Sequence, residues 1–179
     1  MTDKVALRAS ALAARRLGGD QAALTTRLIS ALVPFRGEIV AGYWPMRGEA
    51  DPRDALAAHN GPICLPVVTG KAQPLIFRAW DDDDLVSGAY GTAHPADSAA
   101  ILIPSVLIVP LAGFDRQGNR LGYGGGFYDR TLQVLRDQGV AVAIGLAFAA
   151  QELSAIPAEP YDQPLDIVVT DKELIRPSR

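Results

Sequence analysis

The sequence has one cysteine, Cys64, and two histidines among its 179 residues. A lone thiol closes no intramolecular disulfide and builds no cysteine-based zinc cluster. Set in the apolar run PICLPVV, Cys64 reads as a buried, inert thiol on a strand. His59, at an apparent helix end, and His94, in a proline-flanked loop, read as surface residues, and the chain has no obvious catalytic triad. Long apolar runs are missing too. The longest, such as VAVAIGLAFAA, fall well short of the ~20 residues that span a bilayer. The amino terminus, MTDKVALRAS, lacks the apolar core of a secretory signal. A cytoplasmic protein with no membrane partner is expected. Nor is positive charge in excess: 17 Lys and Arg stand against 20 Asp and Glu, a net charge of −3. No nucleic-acid partner is expected, and any anion bound must meet a local concentration of Lys and Arg.

What is present reads as an ordinary globular chain, 49% hydrophobic and 21% charged, long enough for one domain, 1–179, with a sizeable core. A monomer is expected. Residues 3–17, rich in Ala, Leu and Arg and stopped by Gly18-Gly19, spell a helix. At about 100° per residue, Lys4, Arg8 and Arg15 fall within roughly 40° of one another. They make one cationic stripe, a solvated face or an anion site, with Val5, Ala9 and Leu12 beside it expected to pack inward. A second helix is expected at 20–32. Asp51-Pro52 resembles an N-cap with proline at the first position of a short helix ending at His59. Strands are expected at 38–44, 62–68, 74–80, 105–110, 140–148 and 165–170. Several are continuously apolar, as in a parallel sheet covered on both faces. FYDRTLQVLRDQG (127–139) has helical spacing and completes a βαβ unit. The expected fold is α/β: a three-layer, Rossmann-like, open and mostly parallel sheet.

Within that unit RLGYGGGFYDR (120–130) holds four glycines in five positions, a stretch costly to order. It follows a strand and ends at the amino terminus of a helix, where open α/β sheets bind ligands. Amides without a Cβ in the way, together with the helix dipole, suit a phosphate. Arg120 and Arg130 could fork onto its oxygens. The run is neither a Walker A loop nor a clean G-x-G-x-x-G, and a tight structural turn remains the alternative. Asp129 is either a first-turn carboxylate facing the helix dipole or a ligand of Mg²⁺. In the dipole role its replacement by Asn should cost well under ~1 kcal/mol. DDDD (81–84) reads as a solvated turn.

VPLAGFDRQGNRLGYGGGFYDR (109–130) resembles the signature of the 5-formyltetrahydrofolate cyclo-ligase family, also called methenyltetrahydrofolate synthetase. KVALR (4–8) resembles its amino-terminal Lys-x-x-x-Arg, YWPMRGEAD (43–51) its tyrosine–proline–glutamate loop, and YDQPLD (161–166) its closing segment. The pieces stand in the family's order and span nearly the whole chain. The resemblance implies ATP-dependent cyclisation of 5-formyltetrahydrofolate to 5,10-methenyltetrahydrofolate, with Mg²⁺. Lys4, Val5, Ala6, Leu7 and Arg8 would meet ATP, Lys4 and Arg8 through its phosphates. Arg120, Leu121, Gly122, Tyr123, Gly124, Gly125, Gly126, Phe127 and Tyr128 would cradle the triphosphate. Tyr123 to Phe127 would also touch the folate, as would Trp44, unless that ring is a core aromatic. Glu49 would accept from the pterin, and Asp129 and Asp162 would hold Mg²⁺. Lys4, Arg8, Arg120 and Asp129 would carry the catalysis. The family commonly has tyrosine at the position of Phe127, so stacking survives there and a hydroxyl does not. Two other readings stand beside this one: an inactive folate- or nucleotide-binding relative, and a sugar-phosphate isomerase or CoA-transferase on a similar sheet.

Overall fold

A computed structural model describes residues 3–82, 85–139 and 141–178. Among the described residues there are twelve strands. The first six are β1 (Val40–Ala41), β2 (Ile63–Val67), β3 (Ile76–Ala79), β4 (Leu85–Ser87), β5 (Ala93–Pro95) and β6 (Ile101–Leu102). After them come β7 (Val106–Pro110), β8 (Gly113–Phe114), β9 (Arg120–Leu121), β10 (Val142–Leu146), β11 (Ile167–Val169) and β12 (Leu174–Ile175). Eight of them make one sheet in the order β12-β11-β10-β7-β1-β2-β3-β6. The five from β11 to β2 are parallel, and β12, β3 and β6 join antiparallel at the edges. The stretch expected as a strand at 74–80 is thus an antiparallel return from β2.

Side chains alternate across each strand, and both faces are apolar, so both must be covered. Val106, Ile108, Ile144 and Leu146 pack under α2 (Gln21–Leu32) and α3 (Arg53–Ala57). On the other face, Leu107, Val109 and Ala143 pack under Leu132 of α4 (Phe127–Gln138). The three-layer α/β expectation holds. Cys64 is fully buried, and burial pushes its thiol up to about 12.

Helix α1 (Lys4–Arg15) departs from expectation. It covers neither face of the sheet; it lies against the β8–β9 hairpin and the turn at Ala149–Gln151. Val5 is 65% exposed and Ala9 is exposed, whereas Ala11 and Arg15 are buried. The cationic stripe therefore faces the protein, because what it meets is the polar loops above the sheet and not apolar strands. Helix α3 starts one residue later than expected: Pro52 is the cap residue, and the Asp51 carboxylate accepts from the Arg53 amide at 2.9 Å. Both histidines are half-buried, with His59 Nε2 3.0 Å from the Glu38 carbonyl and His94 Nδ1 2.7 Å from that of Pro95. Asp81 and Asp82 are exposed in a turn, and Asp83 and Asp84 lie outside the described residues.

Candidate active site

Strand β1 is followed in sequence by β2 on one side, while β7 lies on its other side. The loops leaving the carboxyl ends of β1 and β7 therefore diverge, and a crevice opens between them, the usual ligand site of an open α/β sheet. The β1 loop carries Trp44 and Glu49; the β7 segment carries the glycine run. Before reaching it, the chain makes the β8–β9 hairpin around Asp115, whose carboxylate accepts from the amides of Gln117 and Asn119 at 3.0 Å each. The glycine run follows directly from β9.

Gly124 (φ 93°) and Gly126 (φ 65°) have the left-handed backbone that disfavours a side chain. Their neighbours' carbonyls are tied down: Arg8 Nε donates to Gly122 O at 2.6 Å, and Arg130 Nη1 to Gly125 O at 2.7 Å. Among the described residues, the amides of 123–126 donate to no protein acceptor. Gly126 is the cap residue of helix α4 and offers it no side-chain hydrogen bond, so the first amides of the helix add to this unpartnered set. A run of free N–H groups with cations beside it has the chemistry of an anion cradle. A purely structural turn would leave these donors unpaired.

Arg120 and Asp129 do not act as expected singly. Arg120 is almost entirely buried, and its Nη2 meets Asp129 Oδ1 at 2.6 Å. Burial pushes its guanidinium down and the Asp129 carboxylate opposes that; Arg120 Nε is left without a partner. Arg120 is thus paired with the first turn of α4, while Arg130 grips the loop itself. Asp129 also accepts from the Gln163 amide at 2.9 Å, which sets it beside Asp162. Lys4 Nζ bridges Asp162 and Glu159 at 2.8 and 2.7 Å. Burial works against the Lys4 ammonium, but these hydrogen bonds outweigh it and raise its pKa. Among the described residues no three acids, histidines or cysteines gather as a metal cage. Two neighbouring carboxylates next to an anion cradle do fit Mg²⁺ carried in on a polyphosphate, since that ion takes one or two carboxylates plus phosphate oxygens and waters. The orphaned Arg120 Nε likewise fits an incoming oxygen acceptor.

On the β1 side, Arg47 (φ 52°) and Gly48 (φ 77°) form a left-handed turn. Glu49 closes it by accepting from the Met46 amide at 2.9 Å, and it also accepts from the Tyr123 hydroxyl at 2.7 Å. Burial raises the Glu49 carboxyl, and those two hydrogen bonds oppose the shift. Trp44 is half-buried, edge-on to Trp80 with centroids 6.1 Å apart, and under the Arg53 guanidinium at 4.6 Å. The Phe127 ring meets Tyr90 of the β4–β5 loop at 5.7 Å.

The structure thus brings Lys4, Arg8, Arg120, Asp129, Asp162 and the glycine run together, and joins Glu49 to them through Tyr123. Val5 and Ala6 are exposed on the far side of α1, and Leu7 packs into a small cluster with Leu121 and Ile156. Glu159, Arg15 and Arg47 went unnamed as site residues. For Arg15 a signal existed, its place on the Lys4–Arg8 stripe; for the other two none did.

Residues 2–171 match the model of the 5-formyltetrahydrofolate cyclo-ligase family. The chain is 31% identical to the Haemophilus influenzae 5-formyltetrahydrofolate cyclo-ligase, over 91% of each. It is 33% identical to the Escherichia coli K12 protein of the same name, over 87% of this chain and 89% of that one. Its fold superposes on the solved 5,10-methenyltetrahydrofolate synthetase of Aquifex aeolicus with a TM-score of 0.77 and 25% identity, covering 98% of this chain and 93% of that chain. With the family model matched over residues 2–171 and these relatives covered over most of their length, the chain belongs to the 5-formyltetrahydrofolate cyclo-ligase family.

Proposed function

We propose that this enzyme cyclises 5-formyltetrahydrofolate to 5,10-methenyltetrahydrofolate at the expense of ATP, in the crevice between the β1 loop and the glycine run. The 2.7 Å hydrogen bond from Tyr123 to Glu49 carries the reading, because it joins a carboxylate suited to pterin N–H groups to the anion cradle. The formyl oxygen attacks the γ-phosphorus and the bond to ADP breaks, leaving a phosphorylated N5-iminium. N10 then adds to the same carbon and loses its proton. The C–O bond breaks, and phosphate departs with the formyl oxygen.

Transfer of this kind depends on positioning and charge neutralisation more than on a side-chain nucleophile. Lys4, Arg8 and the loop amides hold the phosphates and stabilise the charge that develops on them. Asp129 and Asp162 would hold Mg²⁺, which when bound neutralises phosphate charge. Glu49 fixes the pterin, and Trp44 and Phe127 offer planar faces to it. Cys64, buried and with its thiol near 12, takes no part. The test is ATP turnover measured with and without 5-formyltetrahydrofolate, alongside formation of the methenyl product. Turnover that ignores the folate, or binding of both ligands without product, would overturn the proposal.

A further inference from the structure

Arg15 is a buried cation for which the reaction just outlined has no use. Its exposure is 6%, and no carboxylate lies within salt-bridge distance of it among the described residues. Burying a charge without compensation is costly. Its partners are instead neutral oxygens from two different loops: Nη1 donates to the Tyr123 hydroxyl at 2.5 Å and Nη2 to the Arg47 carbonyl at 2.8 Å. The guanidinium carbon also lies 5.7 Å from the centre of the Tyr123 ring. A phenol has one proton to give. Here it goes to Glu49, so the Tyr123 oxygen is free to accept from Arg15. The result is a directed relay from Arg15 through Tyr123 to Glu49, polarised most strongly when Glu49 is ionised. Burial, with the Glu49 carboxylate, pushes the Tyr123 hydroxyl up to about 12 against the opposing pull of Arg15, so it keeps its proton. The second contact bears on backbone strain. Arg47 is one of the described non-glycine residues at positive φ, a conformation held only when its surroundings enforce it. The Arg15 bond to its carbonyl and the Glu49 clasp on Met46 are the enforcing contacts.

From these contacts we propose that Arg15 is a positioning residue for the folate side of the site. Through Tyr123 and the Arg47 carbonyl it locks the β1 turn to the glycine run and keeps Glu49 an anion able to accept from the substrate. The inference rests on the proposed function for the identity of that substrate, but the lock itself does not. The groups facing Glu49 are the Tyr123 hydroxyl, the Met46 amide and the Arg15 and Arg47 guanidiniums, with the Tyr43 and Tyr128 hydroxyls nearby. Of these groups, the two arginines carry the charge that holds it ionised.

The test compares wild type with Arg15→Met, Arg15→Lys, Tyr123→Phe and the Arg15→Met/Tyr123→Phe double variant. Arg15→Met should raise the KM for 5-formyltetrahydrofolate about tenfold or more, as expected for loss of a charged hydrogen-bond donor, while the KM for ATP changes little. The acid limb of kcat/KM for the folate should move to higher pH, because Glu49 loses a cation that favours its charged form. Arg15→Lys should restore part of both. The double variant should be no worse than Arg15→Met alone by more than about twofold, since both changes cut one relay. A carboxyl NMR titration of Glu49 without ligands reads the same lock independently of turnover: its pKa should rise in Arg15→Met. If wild type proves inactive toward the folate, that titration still decides the matter. Should Arg15→Met fail to fold, Arg15→Lys and Tyr123→Phe supply the kinetic and titration shifts. A rise confined to the KM for ATP would mean that Arg15 binds phosphate directly and would overturn the proposal. So would an unmoved Glu49 titration with an unmoved folate KM, or fully additive losses.

Discussion

Asp129 shows how a single contact changes a prediction. As a solvent-facing dipole residue its replacement by Asn would be almost free. Paired with nearly buried Arg120, it cannot be, because the change leaves an uncompensated buried cation. Asp129→Asn should destabilise by up to about 3 kcal/mol and lower turnover by ~10²-fold. Added Mg²⁺ should recover part of the activity and none of the stability. Thermal unfolding, run beside activity across a Mg²⁺ series, separates the two effects; an unchanged melting temperature would mean the ion pair is not as described. Glu49 makes the opposite case, a charge kept at a cost in stability. Its pKa is raised above the ordinary 4.5, chiefly by burial. A raised folded-state pKa favours folding below the unfolded value and loses that benefit as pH climbs through the folded one. Wild type should therefore lose ground to Glu49→Gln as pH rises from about 4 toward 7, while the variant binds the folate more weakly. Melting curves at both ends of that range, with folate titrations at the upper end, check both halves.

At the scale of elements, the glycine loop and helix α4 act as one device. The loop's carbonyls are held by Arg8 and Arg130, its amides are left free, and the helix start is left uncapped. The glycines are not equivalent. Gly124 and Gly126 need positive φ, so alanine at either should cost about 1–2 kcal/mol and misplace the amides. Gly122 has no such requirement, and a Cβ there would meet only Arg120 Nη1 at 3.7 Å. Gly122→Ala should stay within about 0.5 kcal/mol of wild type. Equal losses at all three would contradict the left-handed assignments. Helix α4 was legible to the residue, because its apolar spacing and closing Gly139 are local signals. The β8–β9 and β4–β5 hairpins were not, because strands of two or three residues carry too little alternation to register. Helix α1 was read as a helix and its Leu12 packs inward as expected, but Val5 and Ala9 face outward. Its burial is set by the polar loops it meets, one 32 residues away and the others more than a hundred residues away in the chain.

For the molecule as a whole, three distant segments must meet before there is a site: α1, the β1 loop, and the run from the glycine loop to 163. Lys4 reaches Asp162, Arg8 reaches Gly122, and Arg136 ties α4 to Gln163, Pro164 and Asp166. A ligand bridging these segments should stabilise the entire fold. Mg²⁺ and ATP at a hundredfold excess over Kd should add about 2.7 kcal/mol, read as a rise in melting temperature that ATP without Mg²⁺ falls short of. An equal rise without the metal would argue against its carboxylates. The sequence by itself determined the α/β class, the run of apolar strands, the glycine loop at a helix start and the family those motifs belong to, because each is written in local pattern or contiguous signature. The tertiary structure alone decided that the α1 cations face inward, that Arg120 and Asp129 form a nearly buried pair, and that Arg15 reaches Glu49 through Tyr123. Those facts depend on which loops converge at the carboxyl edge of the sheet, and strand order, not sequence spacing, brings them together.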